Sequence, residues 1–467
     1  MPPWYKLLTL SFLGIIFVSK AVSAQQVLGI KEAIEEGVRN YQIIKAKSAY
    51  VKAYQSRLRE SRSQYLPDLT LSAQQDYGTI NGQFGVAYGF RGLSVASSGP
   101  ILPKQTWNSA FGALYLANVS WDFFSFGRAK RRNNVAEKQL GASRADLAQE
   151  IFEQRVRIAS AYLNLLAAQQ LAAVGQSNLN RAQSNASVIR SRAASGLNAG
   201  VDSSVANAQV SAARILFTNA VEVVAEQTNA LSVLLGRVQR VYSLDTGFVK
   251  KAPIIPDSLR NPVFDNHPLL QFYRSQVSLS TQQERYVNSQ KWPTFSLFSI
   301  FQERASGFRS TYGYGDLTAF SHGYGVGVDP QIGNYLIGVG LTWNITNVLR
   351  LGHESHAQHF FTEGAIQEYD LVSTQLENQY LLAQKRLVTA QSNLAEAPAE
   401  IKAAREAYVQ KSVLYGNGLA TIIDLTTSIF VLNQAETDLA IANNNIWQAL
   451  LYHAAATGNF DEFYSQL

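Results

Sequence analysis

The fold is decided by the stretch YLLAQKRLVTAQSNLAEAPAEIKAAREAYVQKSVLY, which runs from Tyr380 to Tyr415. One set of large residues recurs there every seven positions, and alanines follow three positions after them. The large set is Tyr380, Leu387, Leu394, Ile401, Tyr408 and Tyr415, and the alanines are Ala383, Ala390, Ala397 and Ala404. A seven-residue apolar spacing is typical of helices that wind around each other, and alanine lets neighbouring helices come close. The stretch therefore predicts a long helix in a coiled coil.

A related pattern occurs 222 residues earlier in the chain. Its two sets are Ile158, Leu165, Ala172, Leu179, Ala186, Ala193 and Ala161, Ala168, Gly175, Ala182. Each pattern stops at a Gly-rich turn, GLNAG at 196–200 and GNGLA at 416–420, and a new apolar helix begins soon after. Asp202 in the first copy corresponds to Asp424 in the second. The sequence therefore predicts a duplicated long helical hairpin.

Composition excludes several classes of protein. The chain has 467 residues, of which 16% are charged and 46% hydrophobic, and its net charge is +6. The basic residues form no block of five, so nucleic acid is not indicated as a partner. The chain has no cysteine, which excludes disulfides, thiolate metal sites and a lipid-modified N-terminal cysteine.

Residues 1–24 have the pattern of a secretory signal peptide. Lys6 provides the positive start, residues 7–18 form a mostly apolar core, and Val22-Ser23-Ala24 provides small residues for cleavage. The alternative is a membrane anchor, but a core of about twelve residues is shorter than the roughly 20 that span a bilayer.

A first structural repeat is predicted over 25–240. A helix from Val27 to Gln64 precedes two strands, at about 66–77 and 111–124, joined by a Gly-rich loop. A helical hairpin follows at 128–236, and its first helix is on the order of 100 Å long at 1.5 Å per residue. Each strand has the length of about 9–11 residues that a tilted β-strand needs to cross a bilayer.

The same order of elements is predicted again after a linker at 241–262. The second repeat covers 263–457, with strands at about 293–302 and 335–346 and a helical hairpin at 350–456, before a C-terminal tail at 458–467. Pro398 lies inside the second long helix, where proline removes a backbone hydrogen bond, so a local kink or bulge is expected.

Four membrane-length strands cannot span a bilayer alone, because the sheet edges would leave unpaired N–H and C=O groups in lipid. Closure requires several chains to share one barrel, and three chains would supply twelve strands, an even number found in outer-membrane barrels. The alternative is a soluble β-sandwich under a helical stalk. The expected fold class is thus mixed α and transmembrane β, a trimeric 12-stranded β-barrel continued by a long α-helical coiled-coil barrel.

Four segments together resemble the TolC family of outer-membrane efflux and secretion ducts. They are YLPDL at Tyr65–Leu69, SWDFFSFGR at Ser120–Arg128, GLNAGVD at Gly196–Asp202 and the turn from Tyr415 to Asp424. The resemblance covers essentially the whole chain after the signal, with the same order and spacing in both repeats.

The resemblance implies a homotrimer in the bacterial outer membrane whose helices extend into the periplasm and narrow to a gate at the hairpin tips. It also implies a periplasmic adaptor (membrane fusion) protein that docks on the tips, and an inner-membrane pump of the RND, ABC or MFS type. The tip residues that correspond to the docking surface are Gly196, Leu197, Gly200, Gly418, Leu419 and Ala420.

The resemblance also places an acidic ring at the gate. Asp424 corresponds to its aspartate and Asp202 to the equivalent position in the first repeat, while a second aspartate of the family is replaced by Thr427. The basic residue that some members carry before the tip aspartate corresponds to Ala420, so a charged latch is not expected. A ring of like charges would raise the carboxyl pKa values and favour a cation. The alternative is that Asp202 and Asp424 are N-caps of the return helices.

The strand ends carry a second group of candidate residues. Trp121 and Trp343 close the second strand of each repeat, as aromatic residues at a membrane interface do, with core packing as the alternative. Four basic residues, Arg128, Lys130, Arg131 and Arg132, begin the first long helix and are expected to contact lipid headgroups or to form a solvated helix face.

No catalytic pattern is present, and no cofactor is expected. His353, His356 and His359 lie three residues apart on a helix, so adjacent pairs could hold a metal, but a solvated helix face is the better interpretation. The leading hypothesis is a passive exit duct of a tripartite efflux pump or type I secretion system. The alternatives are a periplasm-spanning stalk without a conducting lumen and, resting only on the histidines, a metal-dependent exported enzyme.

Overall fold

A computed structural model describes residues 27–82, 89–90, 93–94, 98–197, 199–254 and 264–467. The predicted signal peptide at 1–24 and residues 255–262 of the predicted linker lie outside the described residues.

The described chain alternates short sheet segments with very long helices. Its strands are β1 (Val27–Leu28), β2 (Asp68–Gly78), β3 (Gly89–Phe90), β4 (Leu93–Ser94), β5 (Ala110–Phe124), β6 (Ser243–Leu244), β7 (Thr294–Ser306) and β8 (Ile332–Thr342). Its helices are α1 (Ile30–Asn40), α2 (Gln42–Ser63), α3 (Arg128–Ala194), α4 (Gly200–Leu235), α5 (Pro268–Ser289), α6 (Tyr324–Val328), α7 (Ile345–Gly416), α8 (Ile422–Thr457) and α9 (Phe460–Tyr464).

The chain divides into two compact units that cut across the two predicted repeats. Of the described residues, one unit contains 27–41, 152–254 and 379–467, and the other contains most of 42–151 and 264–378. The first holds the hairpin tips and the return helices, and the second holds the main sheet and the first parts of α3 and α7, so each unit takes segments from both predicted repeats.

The main sheet has four antiparallel strands in the order β2-β5-β7-β8. The central pair joins the second strand of the first predicted repeat to the first strand of the second, with Ala113 opposite Ala305 and Val119 opposite Ser299. Strands β2 and β8 each pair with one described neighbour and form the two edges. The four strands have 11, 15, 13 and 11 residues, which is long for a globular sheet.

The observed strands differ from the predicted bounds by up to four residues. The two largest differences are equal: β7 ends at Ser306 rather than near 302, and β8 ends at Thr342 rather than near 346. The extension of β7 has a clear cause. Its last residues remain extended because they pair with the first residues of β5, as Gly112 opposite Ser306 shows. This pairing joins residues far apart in the chain, so the local alternation did not reveal it.

The first predicted helix is wrong in detail. Val27 and Leu28 form a short parallel pair with Ser243 and Leu244, and Tyr41 breaks the helix into α1 and α2 with an extended backbone conformation. Periodicity did not reveal the break because apolar residues recur on both sides of it.

The second long helix runs through Pro398 without losing its helical assignment. Pro398 is exposed, and the predicted kink or bulge at this position stays a prediction. An 18-residue window in α3 is long and apolar enough to cross a membrane, but 44% of it is buried in the protein and it is weak evidence of a span.

The seven-residue spacing corresponds to the buried side of the hairpin helices. Ala383, Ala390, Ala397 and Ala404 are all buried, as are Ile158, Leu165, Ala168 and Ala182 in the first hairpin. Because alanine has a single methyl group, these positions let helix backbones approach closely. This pattern of alanines and large residues at seven-residue spacing, here called the seam, therefore lies in the core.

The main core lies in the unit of the hairpins and includes the C-terminal residues. Trp447 and Phe463 are both fully buried, with ring centroids 6.2 Å apart. Phe463 belongs to α9, so the predicted C-terminal tail carries a helix that packs on the core rather than a loose extension.

A buried tyrosine of the long helix α3 forms hydrogen bonds at the short parallel strands β1 and β6. The Tyr162 hydroxyl donates to the Leu28 carbonyl at 2.7 Å and accepts from the Asp245 amide at 3.0 Å. Burial raises the pKa of the Tyr162 hydroxyl, so the phenol stays protonated at any physiological pH.

Replacing Tyr162→Phe is expected to lower the free energy of unfolding by about 1 kcal/mol, because the buried carbonyl of Leu28 loses a donor while the packing is kept. Urea unfolding of the full chain in detergent measures this change. Tyr50→Phe removes a hydroxyl from a side chain that is 59% exposed and serves as the matched control. Equal stability of the two variants would contradict a stabilising role for the Tyr162 hydroxyl.

Candidate functional site

The two hairpin tips close in the same way. Gly196 after α3 has φ of +77° and Gly418 after α7 has φ of +76°, a left-handed conformation that glycine adopts without strain. In each tip the next residue donates its amide back to the helix, Leu197 to the Arg192 carbonyl and Leu419 to the Leu414 carbonyl, both at 2.9 Å. These bonds satisfy carbonyls that the helix end would otherwise leave unpaired.

Each tip presents an exposed leucine at its apex. The Leu197 side chain is 69% exposed and that of Leu419 is 74% exposed. The other predicted tip residues are less prominent: Gly200 is the first residue of α4, and Ala420 packs partly against a buried cluster. The tips therefore expose two equivalent pairs of apolar side chains, Leu197 with Leu419 at the apices and Val201 with Ile423, which are 66% and 72% exposed, in the first turns of the return helices.

The two tips of one chain pack against each other. A small cluster joins Ala186, Ile189 and Ala206 of the first hairpin to Tyr415, Leu425 and Ile429 of the second. The Arg192 guanidinium also donates to the Gly416 carbonyl at 2.6 Å, which satisfies the last residue of α7. The tips are therefore a joint structure rather than two independent turns.

Asp424 is held by a capping box at the start of α8. Thr421 is the N-cap: its hydroxyl accepts from the Asp424 amide at 3.2 Å, and the Asp424 carboxylate accepts from the Thr421 amide at 3.0 Å. The alternative that Asp424 is itself the N-cap is wrong by three residues. Thr421 was missed, although a threonine followed three residues later by an acidic residue is a known signal for this box.

Asp424 also has a basic partner within the chain. Lys411 Nζ lies 3.2 Å from the Asp424 carboxylate, so a charged contact exists at this tip even though Ala420 provides none. The hydrogen bonds from the Thr421 backbone and hydroxyl, followed by the Lys411 ammonium, lower the pKa of Asp424 below its ordinary value. Within one chain the shift is thus opposite to the rise expected from an acidic ring. Lys411 was missed because it precedes Asp424 by thirteen residues, across the turn.

The first tip lacks the capping box. The N-cap of α4 is Ala199, whose side chain cannot cap, and Asp202 is the third residue of the helix, so the alternative that Asp202 is the N-cap is also wrong. The positions that correspond to Thr421 and Lys411 are Ala199 and Ile189. Asp202 is half-buried, and Thr427, one turn beyond Asp424, is exposed.

The predicted interface residues lie at the strand ends in the unit of the main sheet. Trp121 donates its indole N–H to the Tyr65 carbonyl at 2.8 Å, and Trp343 donates to the Lys291 carbonyl at 3.1 Å. Each acceptor stands two residues before the proline that precedes a strand. Trp343 is 52% exposed, and Trp121 is partly exposed, so neither is a fully buried core residue.

The four basic residues at the start of α3 differ in their contacts. Three donate to backbone carbonyls: Arg128 to Trp292 at 2.8 Å, Arg131 to Arg285 at 3.4 Å and Arg132 to Ser61 at 3.3 Å. Lys130 is exposed. The guanidiniums therefore connect α3 to the chain near the ends of α2 and α5.

Residues 34–237 match the model of the family described as outer membrane efflux protein. The match covers fewer than half of the 467 residues, so it is a finding about this segment. The match confirms the resemblance drawn from the sequence and the predicted outer-membrane location.

The structure has the fold of solved outer-membrane channels over nearly its whole length. It matches VceC from Vibrio cholerae with a TM-score of 0.72 and 18% identity over 92% of this chain and 96% of that one. The open state of Neisseria gonorrhoeae MtrE gives 0.71 and 15% identity over 98% of both chains, and CusC gives 0.74 and 13% over 93% and 95%. No curated protein sequence matches the chain.

The matches are to an efflux family and to channel proteins and not to enzymes, in agreement with the expectation from the sequence. His353, His356 and His359 are exposed, and the nitrogens of His359 lie 3.5 Å from Glu284 and 3.4 Å from Glu363. Among the described residues, no group of histidine and carboxylate side chains is arranged to hold a metal ion.

Asp424→Asn is expected to loosen the second tip in a pH-dependent way. Because the folded state lowers the carboxyl pKa, the stabilisation is present above the unfolded value of about 3.9 and is lost as pH falls through the lowered pKa. Hydrogen exchange in 419–427 should therefore be faster in the variant at about pH 6, and the difference between the two proteins should diminish at a lower pH, as the pH falls through the lowered pKa.

The variant and the wild type are compared at the same pH, so that intrinsic exchange rates cancel. Asp202→Asn is the matched control, because α4 has Ala199 as its N-cap and no capping box. A difference at 419–427 that persists undiminished at the lower pH would contradict the role of the Asp424 carboxylate.

Proposed function

We propose that this chain is one subunit of a homotrimeric exit duct of a tripartite efflux pump or type I secretion system. Three chains form a 12-stranded β-barrel in the outer membrane, continued by a coiled-coil α-helical barrel that reaches into the periplasm. The duct performs no chemistry; it provides a water-filled path from an inner-membrane pump of the RND, ABC or MFS type to the exterior.

The observation that carries this proposal is a long sheet with two unsatisfied edges. Strands β2 and β8 each have one described neighbour, so each leaves a row of backbone donors and acceptors without a strand partner. In lipid such groups are unfavourable by several kcal/mol each, and a closed barrel removes them. Pairing β8 of one copy with β2 of the next would close the ring.

The register separates an apolar face of the sheet from a more polar one. In β2 the two faces alternate residue by residue, and the partners in β5 follow, with Leu69 opposite Val119 and Thr70 opposite Asn118. The mostly apolar face carries Leu69, Leu71, Val119, Trp121, Leu297, Phe301, Tyr335, Ile337, Val339 and Leu341, with Gln75, Ser299 and Glu303 as polar exceptions. The opposite face is mixed. Its polar residues are Asp68, Thr70, Ser72, Gln74, Asp76, Asn118, Ser120, Gln302, Arg304 and Asn334, and its apolar residues are Leu114, Leu116, Phe298, Ile300, Ile332 and Leu336. Outer-membrane barrels show this alternation, with the apolar face toward lipid and the polar face toward the lumen.

The hairpin tips are the proposed periplasmic gate. Asp424, Asp202 and Thr427 of three chains would surround the aperture, and the capping box keeps the Asp424 carboxylate ionised and in a fixed position. Ionised carboxylates at a narrow opening concentrate cations and repel anions.

The tips are also the proposed docking surface for the periplasmic adaptor. The left-handed turns at Gly196 and Gly418 place Leu197 and Leu419 at two apices, Gly200 begins the return helix α4, and Ala420 packs against the cluster between the tips. Two exposed leucines in equivalent positions offer an adaptor a repeated apolar contact.

The strand ends are the proposed membrane interface. The partly exposed rings of Trp121 and Trp343 are fixed by hydrogen bonds at the ends of β5 and β8, where an interfacial aromatic residue is expected. Arg128, Lys130, Arg131 and Arg132 follow β5 directly and would meet lipid headgroups.

Asp424→Ala is expected to lower the cation selectivity of the channel in planar lipid bilayers and to weaken block by a multivalent cation by about tenfold, because a ring of negative charge is lost. Asp438→Ala removes the same charge fourteen residues further along α8 and should leave both properties unchanged. Selectivity and block that survive in Asp424→Ala would exclude this residue from the gate, and a wild-type trimer that carries no current even with loosened tips would favour the stalk.

Leu197→Ser and Leu419→Ser are each expected to weaken adaptor binding by about tenfold or more, since burying a leucine contributes about 1.5–3 kcal/mol. The measurement is binding of the purified trimer to the adaptor encoded with its pump. Val233→Ser changes another exposed aliphatic residue, 66% exposed near the far end of α4, and is the control. Equal binding by all three variants would exclude the tips as the docking surface.

A further inference from the structure

A cleft of about 500 Å³ lies among α2, α3 and α5, in the unit that contains the main sheet. Its walls include Tyr54, Arg57 and Ser61 of α2, Arg132 of α3 and Tyr286 of α5. This volume is within the range of about 300–1,000 Å³ that holds small organic groups. The cleft therefore has room for a ligand and carries two guanidinium groups.

The cleft begins next to the strand ends. Gln64, which also lines it, precedes the first residue of β2 by four positions, and α3 begins soon after β5 ends. At 1.5 Å per residue, Arg132 lies about 6 Å along α3 from its start, and Arg57 lies about 9 Å from the end of α2. A bilayer headgroup layer is about 5–8 Å thick on each side. Both guanidiniums thus lie at or just beyond the depth of the headgroups.

Positive charge is concentrated around this cleft. Residues 57–64 and 128–132 contain seven basic side chains and one acidic, Glu60. The corresponding segments of the second predicted repeat, 283–290 and 350–354, contain two basic and two acidic residues. The excess of basic residues is therefore specific to the cleft in the first repeat and is not shared by the second repeat.

Helix stability does not explain the basic residues of α3. The first turn of α3 contains no acidic side chain, whereas the helix dipole favours acidic residues at an N-terminus and disfavours basic ones. The bond from Arg132 to the Ser61 carbonyl uses only one of its donors, and its Nε is buried without a hydrogen-bond partner among the described residues. A bound anion in the cleft would partly neutralise these basic residues and would accept hydrogen bonds from the unpaired guanidinium N–H groups of Arg132.

The lining residues favour a phosphate group with an organic substituent. Guanidiniums match the planar donor geometry that phosphate oxygens accept, and Arg57 and Arg132 supply two of them. Glu60 also lines the cleft, so its net charge is about +1, which balances a phosphodiester with its single negative charge. The rings of Tyr54 and Tyr286 offer apolar surface to the attached glycerol.

We propose that this cleft binds the phosphodiester headgroup of an anionic phospholipid in the periplasmic leaflet of the outer membrane. The inference rests on the proposed function, because it requires the strands to lie in that membrane. Arg57 and Arg132 hold the phosphate, and the bound lipid ties α2 and α3 to the bilayer surface below the barrel.

Native mass spectrometry of the full-length trimer in detergent tests the proposal, with phosphatidylglycerol as the anionic probe and phosphatidylethanolamine as the zwitterionic one. The wild type is expected to prefer phosphatidylglycerol, and Arg57→Gln and Arg132→Gln are each expected to weaken its binding by about tenfold. Arg62→Gln is the matched control: it removes the same charge from the same helix, but its exposed side chain does not line the cleft.

Equal loss of phosphatidylglycerol in Arg62→Gln would overturn the proposal, because a general positive field and not the cleft would then hold the lipid. Displacement of the lipid by inorganic phosphate at equal concentration would show that free phosphate is the ligand and overturn the lipid assignment. Arg57→Gln leaves the Arg132–Ser61 bond in place, so its result stands even if Arg132→Gln fails to fold. Both variants should still conduct in planar bilayers. A wild type that prefers phosphatidylglycerol but carries no current would instead overturn the proposed duct.

Discussion

The edges of the four-stranded sheet are the constraint on which the structure depends. A sheet of 11- to 15-residue strands with a mostly apolar face and two edges that lack described neighbours is a poor soluble structure, because edge strands of this kind associate. On β8, Tyr335, Ile337 and Val339 are each more than 60% exposed in the single chain. Lipid would bury the apolar side chains of that face, and pairing with further copies would satisfy the backbone N–H and C=O groups at both edges. The sheet needs both.

The helical unit meets a related requirement with small residues. A helix of about 70 residues cannot be covered within one compact core, so it must present a narrow buried side to close neighbours and leave the rest exposed. Alanines at Ala383, Ala390, Ala397 and Ala404 provide such a side, and large residues between them fill the remaining space. The exposed apolar residues elsewhere on these helices, such as Leu381, Val388 and Val409, are available to neighbouring chains.

Features that depend on local periodicity could be predicted from the sequence, and those that depend on long-range contacts could not. The seam, the four strands and the glycine turns follow from spacing, since each is encoded within a few consecutive turns or residues. The order β2-β5-β7-β8 and the extension of β7 to Ser306 depend on residues about 190 positions apart. At the tips, the Thr421 signal was present and overlooked, whereas the contact of Lys411 with Asp424 requires the turn to bring two helices together. The β1–β6 pair has the same origin, because Leu28 and Leu244 are far apart in the chain and meet in the core.

The differences between the two halves of the chain show where the repeated scaffold has been specialised. Both tips use a left-handed glycine and a back-bonded leucine, which is what two long helices need in order to reverse direction. Only the second adds Thr421 and Lys411 around Asp424, and only the first strand-to-helix junction carries the dense group of basic residues. A scaffold made only for stability gives no reason to place charge at one copy of an equivalent position. A trimer of such chains would repeat each difference three times, so first and second hairpins would alternate around the ring. The tips and the strand-to-helix junctions of the two kinds of hairpin would then carry different charges. A partner could use this difference to distinguish one hairpin from the next.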